Sequence, residues 1–232
     1  MTQLARLADA DAAAAHAANV VGDLIAASLE EHGRAHIALA GGTTWRRAYE
    51  LLAPRSWEGV ELWFGDERCV GPEHPDSNYR MVAESLLPHA PGALVHRIEG
   101  ELGGEPAARA YDALIRSHLT DEPPALDVAL LGIGPDCHVA SLFAGNPALE
   151  LRGVACVPVH DAPKPPPERV SLSLEVLQAA RRCVLLASGA DKAQAVSGAL
   201  GPRDPRLPAS LLRRERLLVI ADVSASASDV LR

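Results

Sequence analysis

Aromatic side chains are scarce: Trp, Tyr and Phe make up 3% of the 232 residues. A core built with so few rings must be filled by Leu, Val, Ile and Ala, and an apolar share of 48% supplies them. An excess of positive charge is also missing. The 22 basic residues are outnumbered by 30 acidic ones, a net of −8. That balance excludes the basic patch or stripe expected of a protein that binds nucleic acid or an anionic membrane surface. Cysteine is sparse and unpatterned. Cys69, Cys137, Cys156 and Cys183 form no C-x-x-C pair and stand at no zinc-ligand spacing from a histidine, so reduced thiols are expected rather than a disulfide framework or a zinc module. No apolar run approaches the ~20 residues that span a bilayer. Asp9, Asp11 and His16 interrupt the Ala-rich beginning, so no secretory apolar segment forms. No internal repeat or long linker divides the chain. These absences imply a soluble cytoplasmic protein forming one domain over residues 1–232, with a frayed tail over 224–232.

What is present is an alternation of strand-like and helix-like segments. Residues 9–32 mix Ala and Leu with spaced polar groups and end at Gly33, which predicts a long amphipathic helix. Strands are predicted over 36–40, 59–64, 127–134, 154–159, 170–174, 183–187 and 217–222. Helices are predicted over 45–53, 79–87 (capped by Ser77 or Asn78), 105–119, 175–182 and 191–200, with a short helix beginning over 138–143. The run Asp127–Gly134 is the most apolar of the strands, as suits a strand covered on both faces. The pattern implies an α/β fold: a three-layer, mainly parallel, Rossmann-like sheet with helices on both faces. Ligands of such sheets bind beyond the carboxyl ends of the strands.

Four polar stretches fall at those ends. Gly41-Gly42-Thr43-Thr44 places two glycines and two hydroxyls where a helix begins, the composition of an anion cradle. Gly65-Asp66-Glu67-Arg68 sets three charged groups directly after an apolar strand. Gly134-Pro135-Asp136-Cys137-His138 puts an acid and an imidazole two residues apart, a pair able to work as a general base and its orienting group. A helix starting there would further disfavour the imidazolium. Gly189-Ala190-Asp191-Lys192 sets a lysine at a helix start, where a cation is unfavourable unless an anion is bound. Each stretch alone also reads as an ordinary capped turn or solvated loop. A thiolate nucleophile at Cys137 is a rival to the imidazole base.

In order along residues 36–222, these stretches resemble the 6-phosphogluconolactonase family, part of a larger group that includes glucosamine-6-phosphate deaminase. The resemblance rests on Ala40–Thr44, Asp66–Val70 with Ser77-Asn78, Leu131–His138 with Ala140–Phe143, Lys164–Arg169 with Ser171–Ser173, Gly189 with Lys192, and Pro208–Ser210. It implies a sugar-phosphate isomerase/CoA-transferase-like fold and hydrolysis of 6-phospho-D-glucono-1,5-lactone in the oxidative pentose phosphate pathway, with no metal or other cofactor. It implies His138 and Asp136 as catalytic groups. Gly41, Gly42, Thr43, Thr44, Asp66, Glu67, Arg68, Asn78, Gly134, Arg169 and Lys192 would bind substrate, with the phosphate held by Lys192 and by Arg68 or Arg169. The partner implied is a small phosphorylated sugar lactone, with no nucleic acid or membrane, acting on a monomer or weak homodimer. A deaminase-like enzyme and a non-catalytic sugar-phosphate binder are the alternatives. Deaminase relatives carry Asp-Glu-Tyr where this chain has Asp66-Glu67-Arg68, and Phe-Asn-Glu-Pro near Ser141-Leu142-Phe143; both differences favour the lactonase. The chain departs from the family pattern at Trp45 and Ala144, where Pro is usual, at Val139, where Thr is common, and at Cys137, where Gly is usual. A Cys there carries strain if the backbone needs positive φ.

Overall fold

The structure, a computed structural model, describes residues 3–53 and 56–226. Along it run β1 (Gln3–Leu7), α1 (Ala10–His32), β2 (Ala35–Leu39), α2 (Thr43–Leu51), β3 (Val60–Phe64), β4 (Asp66–Arg68), α3 (Asn78–Ser85), β5 (Leu94–Val95), α4 (Gly104–His118), β6 (Val128–Leu131), β7 (Cys156–Val159), β8 (Arg169–Leu172), α5 (Leu174–Ala179), β9 (Arg182–Ala187), α6 (Ala193–Leu200) and β10 (Leu217–Asp222). Local chemistry explains the boundaries. Asp9 caps α1 by accepting from the Ala12 N–H, and Gly33 ends it in the left-handed region at φ 69°. Between these caps Ala13, Ala14, Ala17, Ala18, Val21 and Ile25 form one buried stripe.

Seven strands pair in parallel in the order β1-β10-β9-β6-β2-β3-β5. All five residues of β3 and all four of β6 are buried, the signature of a sheet covered on both faces. The chain passes from β2 outward to β3, then returns to the other side of β2 with β6. The carboxyl ends of β2 and β6 therefore flank a topological switch point, where the cleft lies. Gly65 carries the chain from β3 into a second sheet, antiparallel and three-stranded, of order β4-β8-β7. This small sheet walls one side of the switch point.

Five segments differ from expectation. Residues 138–143 form no helix. Cys137 and Ala140 adopt φ of 65° and 49°, which no right-handed helix accommodates, and the segment closes as a turn bridging Val139 to Leu142. Asp66–Arg68 is a strand rather than a loop, and β1 and β5 are additional short strands. Of the expected frayed tail, Ser224–Ser226 belong to a turn in which Ala225 is buried and donates its N–H to Asp222; residues 227–232 lie outside the described residues.

The turn from β2 into α2 is pinned from beneath. The buried Tyr49 hydroxyl donates to the Ala40 carbonyl at 2.8 Å and accepts from the Ala40 N–H at 2.9 Å. Tyr49→Phe strands both backbone groups and is expected to cost about 1–3 kcal/mol, read as a lowered midpoint of urea unfolding.

Candidate active site

A cleft of about 320 Å³ opens at the carboxyl ends of β2, β3, β6 and β9. Gly41–Trp45, Asp66, Arg68, Asn78, Gly134, His138, Arg169 and Lys192 all line it. One wall is the start of α2. Gly42 is its N-cap and no side chain caps it, so the first-turn N–H groups face the cleft with the positive end of the helix behind them. Gly41 has to be glycine because Asn78 packs against it; a Cβ would lie 1.9 Å from Asn78 Oδ1.

Strand geometry sorts the acidic residues of β4. Successive side chains point to opposite faces, so Asp66 and Arg68 face the cleft and Glu67 faces away. The Glu67 carboxylate is buried and accepts from the N–H groups of Arg68, Asn78 and Tyr79 and from the Ser77 hydroxyl. Burial pushes its pKa up against those hydrogen bonds. Glu67 thus seats the start of α3 and does not line the cleft, contrary to the expected substrate contact.

Asp66 organises the floor. It accepts from Ser141 Oγ at 2.6 Å and from Asn78 Nδ2 at 3.2 Å, while its carbonyl accepts from the same Asn78 amide. Arg169, buried and opposite Arg68 in the β4–β8 register, reaches back to Ser141 Oγ with Nη1 and bonds the Lys164, Pro165 and Pro166 carbonyls with Nη2 and Nε. Four of its five N–H donors are engaged there. Arg68 is less committed. Its Nη1 donates to the Asp76 carbonyl, and its buried Nε has no hydrogen-bond partner among the described residues.

The imidazole stands across the cleft. His138 Nδ1 lies 2.5 Å from Asp136 Oδ1. The carboxylate accepts, so Nδ1 carries the proton and Nε2 keeps its lone pair. Gly134 makes room for this pair, since a Cβ there would fall 2.1 Å from the imidazole and 2.4 Å from Asp136. Cys137 takes the positive φ that glycine normally supplies. The loop still closes, with the Cys137 N–H bonded to the Gly134 carbonyl and the Gly134 N–H to the His138 carbonyl. The Phe143 ring packs 4.4 Å from the imidazole, centroid to centroid. Burial holds the His138 pKa below its ordinary 6.5, partly offset by Asp136. Burial, and not the helix dipole expected from the sequence, disfavours the charged imidazole. The Cys137 thiol is buried, points to the Ala195 carbonyl, and is pushed up to about 11 by burial; it is not placed as a nucleophile.

Sequence reasoning missed Ser141, which joins Asp66 to Arg169, and Lys164, which lines the cleft beside Pro165. A signal for Lys164 existed: the chain has two lysines, Lys164 and Lys192, and both line this cleft. Lys192 also pairs with Asp191 at 3.2 Å. Arg68, Lys164, Arg169 and Lys192 against the one lining carboxylate, Asp66, give the cleft a net positive lining on an acidic protein.

A parallel α/β sheet with a cation-lined cleft and an imidazole–carboxylate pair at its switch point defines the class: Rossmann-like α/β proteins. Comparison with known proteins narrows it. The model of the family described as glucosamine-6-phosphate isomerases/6-phosphogluconolactonase matches residues 8–220. The 6-phosphogluconolactonase of Mycobacterium tuberculosis is 35% identical, covering 94% of this chain and 95% of its own. That of Streptomyces coelicolor is 38% identical over 86% and 84%. The structure of the Trypanosoma brucei 6-phosphogluconolactonase superposes with a TM-score of 0.87 at 27% identity, covering 98% of both chains. That of Leishmania guyanensis gives 0.89 at 26%, covering both chains entirely. The chain belongs to the glucosamine-6-phosphate isomerase/6-phosphogluconolactonase family.

The His138 shift is directly measurable. Its ring protons, followed by NMR, are expected to titrate below pH 6.5, and Asp136→Asn is expected to lower the midpoint further, because the carboxylate is the group that raises it. A midpoint above 6.5 in the native protein would contradict the burial argument.

Proposed function

We propose that the protein hydrolyses 6-phospho-D-glucono-1,5-lactone to 6-phospho-D-gluconate. The observation that carries this reading is the Asp136–His138 pair set into a cleft lined by Arg68, Lys164, Arg169 and Lys192. A lactone ester needs an activated water and a place for a developing oxyanion, and a phosphorylated one needs a phosphate seat. The uncapped start of α2 at Gly42, Thr43 and Thr44, with Lys192, suits the phosphate. Of the two arginines, Arg68 has the spare donors, so it is the one assigned to the substrate, and Arg169 is assigned to holding the Lys164–Pro166 loop.

In the mechanism that follows, His138 Nε2 takes a proton from water as its oxygen bonds to C1. The carbonyl becomes a tetrahedral oxyanion, held by the cleft cations. The intermediate then collapses, the C1–ring oxygen bond breaks, and the ring oxygen receives the proton from His138. The ester is converted to a carboxylic acid and an alcohol. Asp136 holds the imidazole in the Nδ1–H tautomer throughout. No step requires a metal or organic cofactor. The four cysteines are free thiols, in keeping with the reducing cytoplasm to which this reading assigns the protein.

The test is to supply freshly generated 6-phosphogluconolactone and follow acid release above the spontaneous rate. His138→Ala is expected to lower kcat by ~100- to 10,000-fold with little change in KM. Wild-type kcat/KM should fall on acidification with a midpoint below 6.5 as His138 gains its proton. Lys192→Ala should raise KM for the phosphorylated lactone and leave turnover of an unphosphorylated one unchanged. An unaltered kcat in His138→Ala removes the imidazole from the role, and ammonia release from glucosamine 6-phosphate would favour a deaminase instead.

A further inference from the structure

A second cluster of ligating side chains lies on the same sheet, away from the cleft. Glu61 is the second residue of β3, four residues and ~13 Å of strand upstream of Gly65. His36 on β2 is its register partner. His96 follows β5, tied by its N–H to the Leu62 carbonyl, and His118 is the last residue of α4. One ligand atom each from Glu61, His96 and His118 lies within 4.8 Å of the others.

The arrangement is preorganised around the Glu61 carboxylate. Its Oε2 is 2.8 Å from His96 Nε2 and 4.0 Å from His118 Nε2. Trp63, on the same face as Glu61, floors the group: His96 stacks on it at 4.0 Å and His118 meets it edge-on at 5.4 Å. His118 Nδ1 lies 3.1 Å from the Leu114 carbonyl. A carbonyl only accepts, so Nδ1 carries the proton and Nε2 turns a lone pair toward the carboxylate. That is the outer-shell pattern of a metal-bound imidazole. His36 Nδ1 also lies 3.8 Å from Glu61 Oε2, but its lone pair accepts from Trp63 Nε1 and is not free to ligate.

We propose that Glu61, His96 and His118 form a site for a divalent transition-metal ion of the zinc class, with water in the fourth position. Zinc–nitrogen and zinc–oxygen bonds of ~2.0–2.2 Å place tetrahedral ligands ~3.3 Å apart, which the 2.8 and 4.0 Å separations reach by small side-chain rotations. Binding takes the place of the proton that His96 Nε2 shares with the carboxylate; in the neutral ring that proton moves to Nδ1, leaving Nε2 to ligate. His118, with its side chain one-third exposed, supplies the entry. The ion fastens the end of α4 and the two-residue strand β5 to the central sheet, so its effect is on stability and it takes no part in the chemistry of the cleft.

The test is titration of chelator-treated protein with Zn²⁺ by calorimetry, with thermal unfolding in parallel and Co²⁺ as a spectroscopic probe. One equivalent is expected to bind, to raise Tm, and with Co²⁺ to give the visible absorption of a four-coordinate site. His118→Ala, at a helix end, should fold but lose the rise in Tm that the metal gives wild type. It should bind at least about 100-fold more weakly, beyond the usual loss for an outer-shell change, and lose the Co²⁺ absorption. Glu61→Gln should weaken binding likewise, and His138→Ala should leave it unchanged. No saturable binding, or binding that survives His118→Ala and Glu61→Gln, overturns the proposal. Binding lost in His138→Ala places the ion in the cleft and overturns it equally. None of these outcomes depends on which substrate the cleft takes.

Discussion

The cleft depends on one buried carboxyl group. Taking a charge such as that of Asp66 out of water costs several kcal/mol unless its lone pairs are satisfied, and here the satisfaction comes from distant segments. Asn78 reaches it from the start of α3 and Ser141 from the turn after β6. Ser141 passes the connection on to Arg169, which gathers the Lys164–Pro166 backbone. Three loops that could otherwise wander are thus fixed relative to β4 by hydrogen bonds to groups that have nowhere else to turn. The position of β4, continuous with β3 through Gly65, makes the parallel sheet the reference frame for the whole site.

Charge is arranged on two scales. The chain as a whole is acidic, with a net charge of −8. Within the cleft the sign reverses, and Arg68 sits opposite Arg169 in the ladder, a pairing that costs stability in the absence of an anion. The helix start at Gly42 adds its partial positive charge from the other wall. Like charges gathered around a cavity are poor construction and good recognition, and the same segments that hold them apart keep His138 opposite, desolvated and neutral.

Much of this was legible in the sequence, because caps and apolar runs are local. Asp9 and Gly33 bound α1, and the buried runs at β3 and β6 are nearly continuous. The strand-end rule then located Gly41–Thr44, Asp136, His138 and Lys192 at one edge. What failed were features set by tertiary context. Three charged residues in a row do not resemble a strand, and without β4 the period-two alternation that separates Asp66 and Arg68 from Glu67 could not be applied. Residues 138–143 have helical composition, but Cys137 and Ala140 are held at positive φ by the loop they close. The Glu61, His96 and His118 cluster spans β3, the segment after β5 and the end of α4, and no spacing along the chain announces it.

The placement of both lysines in the cleft also governs how the molecule meets reactive acyl donors. Apart from the amino terminus, every primary amine of the chain lines the cleft, and all other basic positions carry guanidinium or imidazole groups. Guanidinium stays protonated at neutral pH and does not yield to esters as an amine does. Among side-chain amines, acylation by activated esters therefore falls on Lys164 and Lys192 alone, and an occupied cleft shields both.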